Sequence, residues 1–155
     1  MTEARAARMS VSLPSDSEAR TGQAHAWPVR VVLFGAPTTK KNSSRIVGTG
    51  ARGRTRMQHP VLLPSKQHQK WFGQVIAQAR VQRPSSGVIA VPINVRALIY
   101  RHRAAGDAVG FYQAIADLLE AAHIVKDDVL CVSWDGSRLL KDTKFPRIEI
   151  ELTVA

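Results

Sequence analysis

The sequence predicts an α+β fold, a single domain in which one mixed β-sheet packs with two helices in the order βαβαββ. Three observations lead there. Residues 65–80 and 107–122 repeat their apolar positions with the 3.6-residue period of a helix, whereas residues 91–100 and 147–153 alternate apolar and polar side chains as half-buried strands do. At 155 residues and 45% hydrophobic, the chain holds enough apolar material for one core but not for two independent ones.

Residues 1–26, rich in Ala, Arg, Ser and Glu, lack either periodicity and read as a mobile tail ahead of a domain over residues 27–155. A first strand is expected at 28–34, where β-branched residues run up to the punctuation Gly35-Ala36-Pro37. About thirty residues of basic loop then follow, too rich in Gly, Ser, Thr and Arg to bury themselves. Ser65 suits a helix N-cap, with Trp71, Phe72, Val75, Ile76 and Ala79 on one face and Lys66, Gln67, Lys70 and Gln74 on the other. Beyond Pro84-Ser85-Ser86-Gly87, Ile93, Val95, Ala97 and Ile99 mark the inner face of the second strand. Asp107 opens the second helix, whose core stripe is Phe111, Ile115, Leu118, Leu119 and Ala122. A third strand is expected at 129–134 and a fourth at 147–153, the latter facing inward through Ile148, Ile150 and Leu152.

Charge is segregated along the chain. Between Glu18 and Asp107 there is no acid but fifteen Lys and Arg, and seven of the twelve acids fall from Asp107 to Asp142, within a formal net charge of +10. A long basic stretch beside a compact acidic one suits a surface that draws phosphates next to carboxylates that hold a cation. The candidate DNA-binding residues are Lys40, Lys41, Arg45, Arg52, Arg54 and Arg56 in the loop, Lys66 and Lys70 on the first helix, and Arg101 and Arg103 after the second strand. The single cysteine, Cys131, rules out an internal disulfide and sits in an apolar stretch as a buried structural thiol, which fits a cytoplasmic protein. No apolar run approaches the ~20 residues that span a bilayer, and the N-terminus lacks the apolar core of a secretory signal.

The acids at element ends carry the candidate chemistry. Asp107 precedes the second helix, Asp127 and Asp128 precede the third strand, and Asp135 lies in Trp134-Asp135-Gly136. Two or three carboxylates meeting at one sheet edge suffice to hold Mg²⁺ for phosphodiester hydrolysis. Each acid also has a plainer reading: an N-cap for Asp107, a turn for Asp127-Asp128, and a hairpin turn for Asp135-Gly136.

The segment GDAVGFYQAIADLLEAAHIVKDDVLCVSWDG from Gly106, with GAPTTKKNSSRIV from Gly35 and VLLPSKQHQKWF from Val61, resembles the RusA-type Holliday-junction resolvases over residues 29–153. The resemblance implies a homodimeric, Mg²⁺- or Mn²⁺-dependent endonuclease acting on four-way junctions or other branched DNA. It matches Asp107 to the first family metal ligand and Asp128 to the last, both catalytic, with Asp127 and Asp135 as further candidate ligands. The family's second Asp is Val109 here, its Asn is Gly110 and its catalytic Lys is Gln113. Valine coordinates no cation and glutamine carries no charge, so the alternative is a branched-DNA-binding protein with weakened or lost catalysis. On the cutting alternative, Asp107 and Asp128 are expected to lie within reach of one cation.

Overall fold

The computed structural model describes residues 25–39, 44–47, 61–104 and 106–155, with the backbone alone described at 44–47 and 61–64. Its strands are β1 (Val29–Phe34), β2 (Ser44–Val47), β3 (Val61–Pro64), β4 (Ile93–Arg101), β5 (Cys131–Ser133), β6 (Arg138–Lys141) and β7 (Arg147–Val154). The helices are α1 (Lys66–Val81) and α2 (Ala108–Ala121). A five-stranded sheet runs β1-β7-β4-β5, with β6 also on β4. β7 lies antiparallel to both β1 and β4, while β5 and β6 run parallel to β4, which makes the sheet mixed as the sequence implies.

Alternation in the sequence becomes a two-layer molecule. Val29, Val31 and Leu33 of β1, Ile93, Val95, Ala97 and Ile99 of β4, and Ile148, Ile150 and Leu152 of β7 are all buried on one face. Trp71, Val75 and Ala79 of α1 and Phe111, Ile115, Leu118 and Leu119 of α2 close over them in a single cluster. Among the described residues no helix covers the opposite sheet face. There Glu151 bridges Arg30 at 2.9 Å and Arg96 at 3.6 Å, its register partners on the two flanking strands.

β1 is an edge strand, and α1 covers its free edge with two glutamines. Gln78 accepts from Phe34 N–H at 2.7 Å and donates to Phe34 C=O at 3.0 Å, and Gln82 treats Val32 likewise at 2.9 and 2.8 Å. Four helical residues rise about 6 Å and two strand residues about 6.6 Å, so the spacings match. Backbone groups that would template another strand are thereby occupied.

Two expectations about strands need correction. The segment after β1 is not a loop throughout, because Ser44–Val47 pairs antiparallel with Val61–Pro64 and brackets its central part. The third strand is narrower than 129–134: Asp127 caps a 3-10 turn over Asp128–Leu130, accepting from Val129 N–H at 3.0 Å, and only Cys131–Ser133 pairs as strand. A further strand, β6, was not expected. β5 and β6 follow one edge of β4 in the same direction, interrupted by a turn in which Ser137 N–H donates to Trp134 C=O at 3.1 Å. In the gap, Ser137 Oγ accepts from Ala97 N–H at 2.9 Å and donates to Val95 C=O at 3.0 Å, replacing ladder bonds that the break removes. The mobile-tail reading of residues 1–26 falls almost wholly outside the described residues.

Candidate functional site

β1 and β4 point their carboxyl ends in the same direction, and the segments that leave them enclose a cavity of about 430 Å³. Thr38 and Thr39 line it from the segment after β1, Gln67 from the start of α1, Arg101, His102 and Arg103 from the end of β4, and Gly106 and Phe111 from the start of α2. The carboxyl ends of sheet strands are a recurrent place for ligand crevices, because loops there meet helix N-termini. Both helices begin at this end, each with a side-chain cap: Ser65 Oγ accepts from His68 N–H at 3.1 Å, and Asp107 Oδ1 accepts from Gly110 N–H at 2.7 Å.

Local packing fixes the cationic wall. Gly106 adopts φ +91°, and a Cβ there would stand 2.7 Å from the Phe111 ring, so only glycine lets that ring close up. Phe111 in turn holds the Arg101 guanidinium 5.8 Å from its ring centroid, while Arg101 Nη1 donates to Gly106 C=O at 3.2 Å. His102 and Arg103 beside it are exposed. Two arginines and the capped starts of two helices thus stand around one cavity, with the Asp107 carboxylate at the α2 start beside them.

The acids do not gather there. Asp107 is exposed at the start of α2 beside the pocket, whereas Asp127 and Asp128 follow the end of α2. A 14-residue helix is about 20 Å long, and β5, next to Asp128, pairs with the first residues of β4 while the pocket lies at its last. Asp107 and Asp128 of one chain therefore stand at opposite ends of the sheet and cannot share a cation, which corrects the expected common site. The plainer readings of Asp107 and Asp127 are both realised, since each caps the turn it opens. Asp135 is also in a turn, with Gly136 at φ +79°, though the turn is no hairpin because its flanking strands run in one direction. Asp135 N–H donates to Asn94 Oδ1 at 2.8 Å, which holds it toward the start of β4 and away from Asp107.

Among the described residues no group of three His, Cys, Asp or Glu is arranged to hold a metal ion. One chain thus does not fit the three-carboxylate centre that the resemblance implies. Val109, where the family has a ligand, is 73% exposed, so the position is open to solvent and not part of the core. Cys131 is half-buried and not fully buried as expected, because it lies on the short edge strand β5; its thiol is pushed up to about 11 by burial and, second, by the charge of Asp128.

Of the expected basic residues, Arg101 and Arg103 line the pocket, and Lys66 and Lys70 are exposed on the first turns of α1 beside Gln67. Lys40, Lys41, Arg52, Arg54, Arg56 and the side chain of Arg45 lie outside the described residues. Thr38, Thr39, Gln67 and His102 were not foreseen; their only signal in the sequence is that they sit at strand and helix ends. Neither a scan of family models nor a search of curated proteins returns a match to this chain. Among the described residues no helix is long and apolar enough to cross a membrane.

Proposed function

We propose that the protein is a RusA-like endonuclease of branched DNA, engaging the phosphate backbone through the pocket at the carboxyl ends of β1 and β4 and resolving four-way junctions as a homodimer. The observation that carries the reading is the placement of Asp107, the residue matched to the first family ligand, beside a cavity walled by Arg101, His102 and Arg103. A carboxylate next to a phosphate-binding wall is what Mg²⁺ uses, since that ion is commonly held by one or two carboxylates together with substrate phosphates.

Because the two ends of α2 are about 20 Å apart, a centre that combined Asp107 with Asp128 needs a second chain. Cutting and dimerisation then stand or fall together. Exposed apolar side chains are present on α2, the turn before β5 and β5, namely Val109 at 73%, Val129 at 70% and Val132 at 57%, and the rings of Tyr112 and Trp134 stack 4.5 Å apart between α2 and the end of β5. A two-fold pairing through these side chains would set the start of one α2 against the partner's Asp127-Asp128 turn, and it would also cover the outer edge of β5.

The second reading is a branched-DNA-binding protein without cutting. It is favoured by Val109 and Gln113 at the positions of the family's second Asp and Lys. Four-way junctions incubated with Mg²⁺ or Mn²⁺, alongside a binding titration and a mass measurement in solution, separate the two. Cleavage by a dimer supports the endonuclease; tight junction binding without cleavage supports the binder. Arg103→Glu should weaken binding and lower the salt slope by about one, as loss of one phosphate contact does. If no DNA is bound, both readings fail.

A further inference from the structure

The open face of the sheet carries paired charges along its length and adds aromatic rings at the pocket end. Toward the other end its charges are matched, Arg30 and Arg96 with Glu151. At the pocket end one register row reads Phe34, Arg147, Tyr100 across β1, β7 and β4. The Arg147 guanidinium lies 3.7 Å from the Tyr100 ring centroid, fixed from its other side by Glu149 at 2.6 Å and Asp142 at 3.0 Å. Phe34 is 62% exposed, although its backbone is anchored on both edges, by Arg147 in the ladder and by Gln78 of α1.

A second bare ring belongs to a residue whose chain neighbour is hydrogen-bonded to that of Phe34. Phe145, 70% exposed, lies in the turn before β7, and Asp142 Oδ1 fixes that turn by accepting from Lys144 N–H and Phe145 N–H, both at 3.0 Å. Gly35 N–H donates to Pro146 C=O at 3.1 Å, joining the Phe145 turn to the segment that lines the pocket. Lys141 and Lys144 are exposed on the same rim. Isolated exposed apolar residues are ordinary, but two phenyl rings on anchored backbone, with lysines at the same end of the sheet whose helix side holds the Arg101–Arg103 cavity, form a composite surface around that end.

We propose that Phe34 and Phe145, with the Arg147–Tyr100 pair between strands as their floor, are a stacking platform for unpaired bases of a nucleic acid whose backbone is held at the Arg101–Arg103 pocket. Charge complementarity argues for this occupant over an apolar protein segment, because Lys141, Lys144 and Arg147 outnumber Asp142 and Glu149 at this end of the sheet. Aromatic faces accept any base, so the platform selects unstacked strands and not a sequence. Branched DNA offers such bases at its crossover. The inference rests on the nucleic-acid reading above and adds to it where unpaired bases go.

The test uses the full chain with Phe34→Ala and Phe145→Ala combined, and a control with Phe34→Trp and Phe145→Trp. Binding is measured to an oligothymidylate and to a plain duplex of equal length, with 2-aminopurine in a second single strand reporting stacking. Both rings are mostly in water, so the melting temperature should stay near that of the parent. The alanine variant is expected to lose about ten-fold or more in single-strand affinity, with duplex affinity within about two-fold, while the tryptophan variant retains single-strand binding and quenches 2-aminopurine. Unchanged single-strand binding, or equal loss on both probes, overturns the platform. A dimer that becomes monomeric in the alanine variant with DNA binding intact overturns it in favour of a second copy as occupant. If Arg103→Glu weakens both probes while the alanine variant does nothing, the DNA reading survives and only the platform fails; if the parent binds neither probe, both fail.

Discussion

Asp107 caps α2, and the proposed function gives it a second role as a carboxylate beside the Arg101–Arg103 cavity; two substitutions separate the two. Its Oδ1 accepts from Gly110 N–H at 2.7 Å, a bond that an asparagine oxygen can reproduce and an alanine cannot. Loss of an N-cap costs about 1 kcal/mol. An unfolding entropy of about 2.1 cal/mol/K per residue over ~130 residues gives about 0.27 kcal/mol/K, so Asp107→Ala should lower the melting temperature by about 4 °C. Asp107→Asn should stay within about 1–2 °C of the parent, since asparagine caps as well as aspartate. In a junction assay without divalent cation, Asp107→Asn should bind as tightly as the parent or tighter, because a negative charge has left the rim of the pocket; with Mg²⁺, cutting should be abolished. Thermal melts and junction cleavage read the two effects independently. If asparagine destabilises as much as alanine, the cap acts through its charge on the helix dipole and not through the hydrogen bond. If the asparagine variant cuts at the parental rate, Asp107 is a cap and nothing more.

Val109→Asp with Gln113→Lys should raise Mg²⁺-dependent junction cleavage with little change in stability, since both positions are exposed on α2; a folded, junction-binding variant with no gain in cutting would refute the reading of Val109 as a vacated ligand position. Gln78→Ala with Gln82→Ala should destabilise the fold by roughly 1–3 kcal/mol and promote association through the bared edge of β1, measured by denaturant melts and light scattering; a monodisperse variant of parental stability would show that water satisfies that edge as well. Cys131, held up at about 11, should resist alkylation at pH 8, and Asp128→Asn should speed it by removing the nearby charge. Its folded value lies above the ordinary one near 9, so its contribution to stability is intact below pH about 9 and is lost as pH rises toward about 11, a dependence that Cys131→Ala should remove from denaturant melts.

Much of the fold was legible because it depends on local pattern. The 3.6-residue stripes of α1 and α2, their caps Ser65 and Asp107, and the alternation of β4 and β7 all appear where periodicity and capping chemistry place them. The misses share a cause. β6 is four residues long, and β5 only three, too short for alternation to register, and both exist because β4 offers an edge to pair with. β2 and β3 likewise depend on a partner more than ten residues away in the chain.

The sequence by itself determined the class of fold, the two helices with their capping residues, and the segregation of basic from acidic residues. Only the tertiary structure decided which of the charged residues meet. Arg101 and Arg103 share a cavity with Thr38, Thr39 and Gln67 because β1 and β4, on either side of β7, end at the same end of the sheet, whereas Asp107 and Asp128 part because a helix laid along the sheet carries its two ends about 20 Å from each other. Spacing in the chain fixes which face of an element a residue occupies. Which elements lie adjacent, and at which end, is set by burial of the common apolar face, and that is a property of the whole packed sheet.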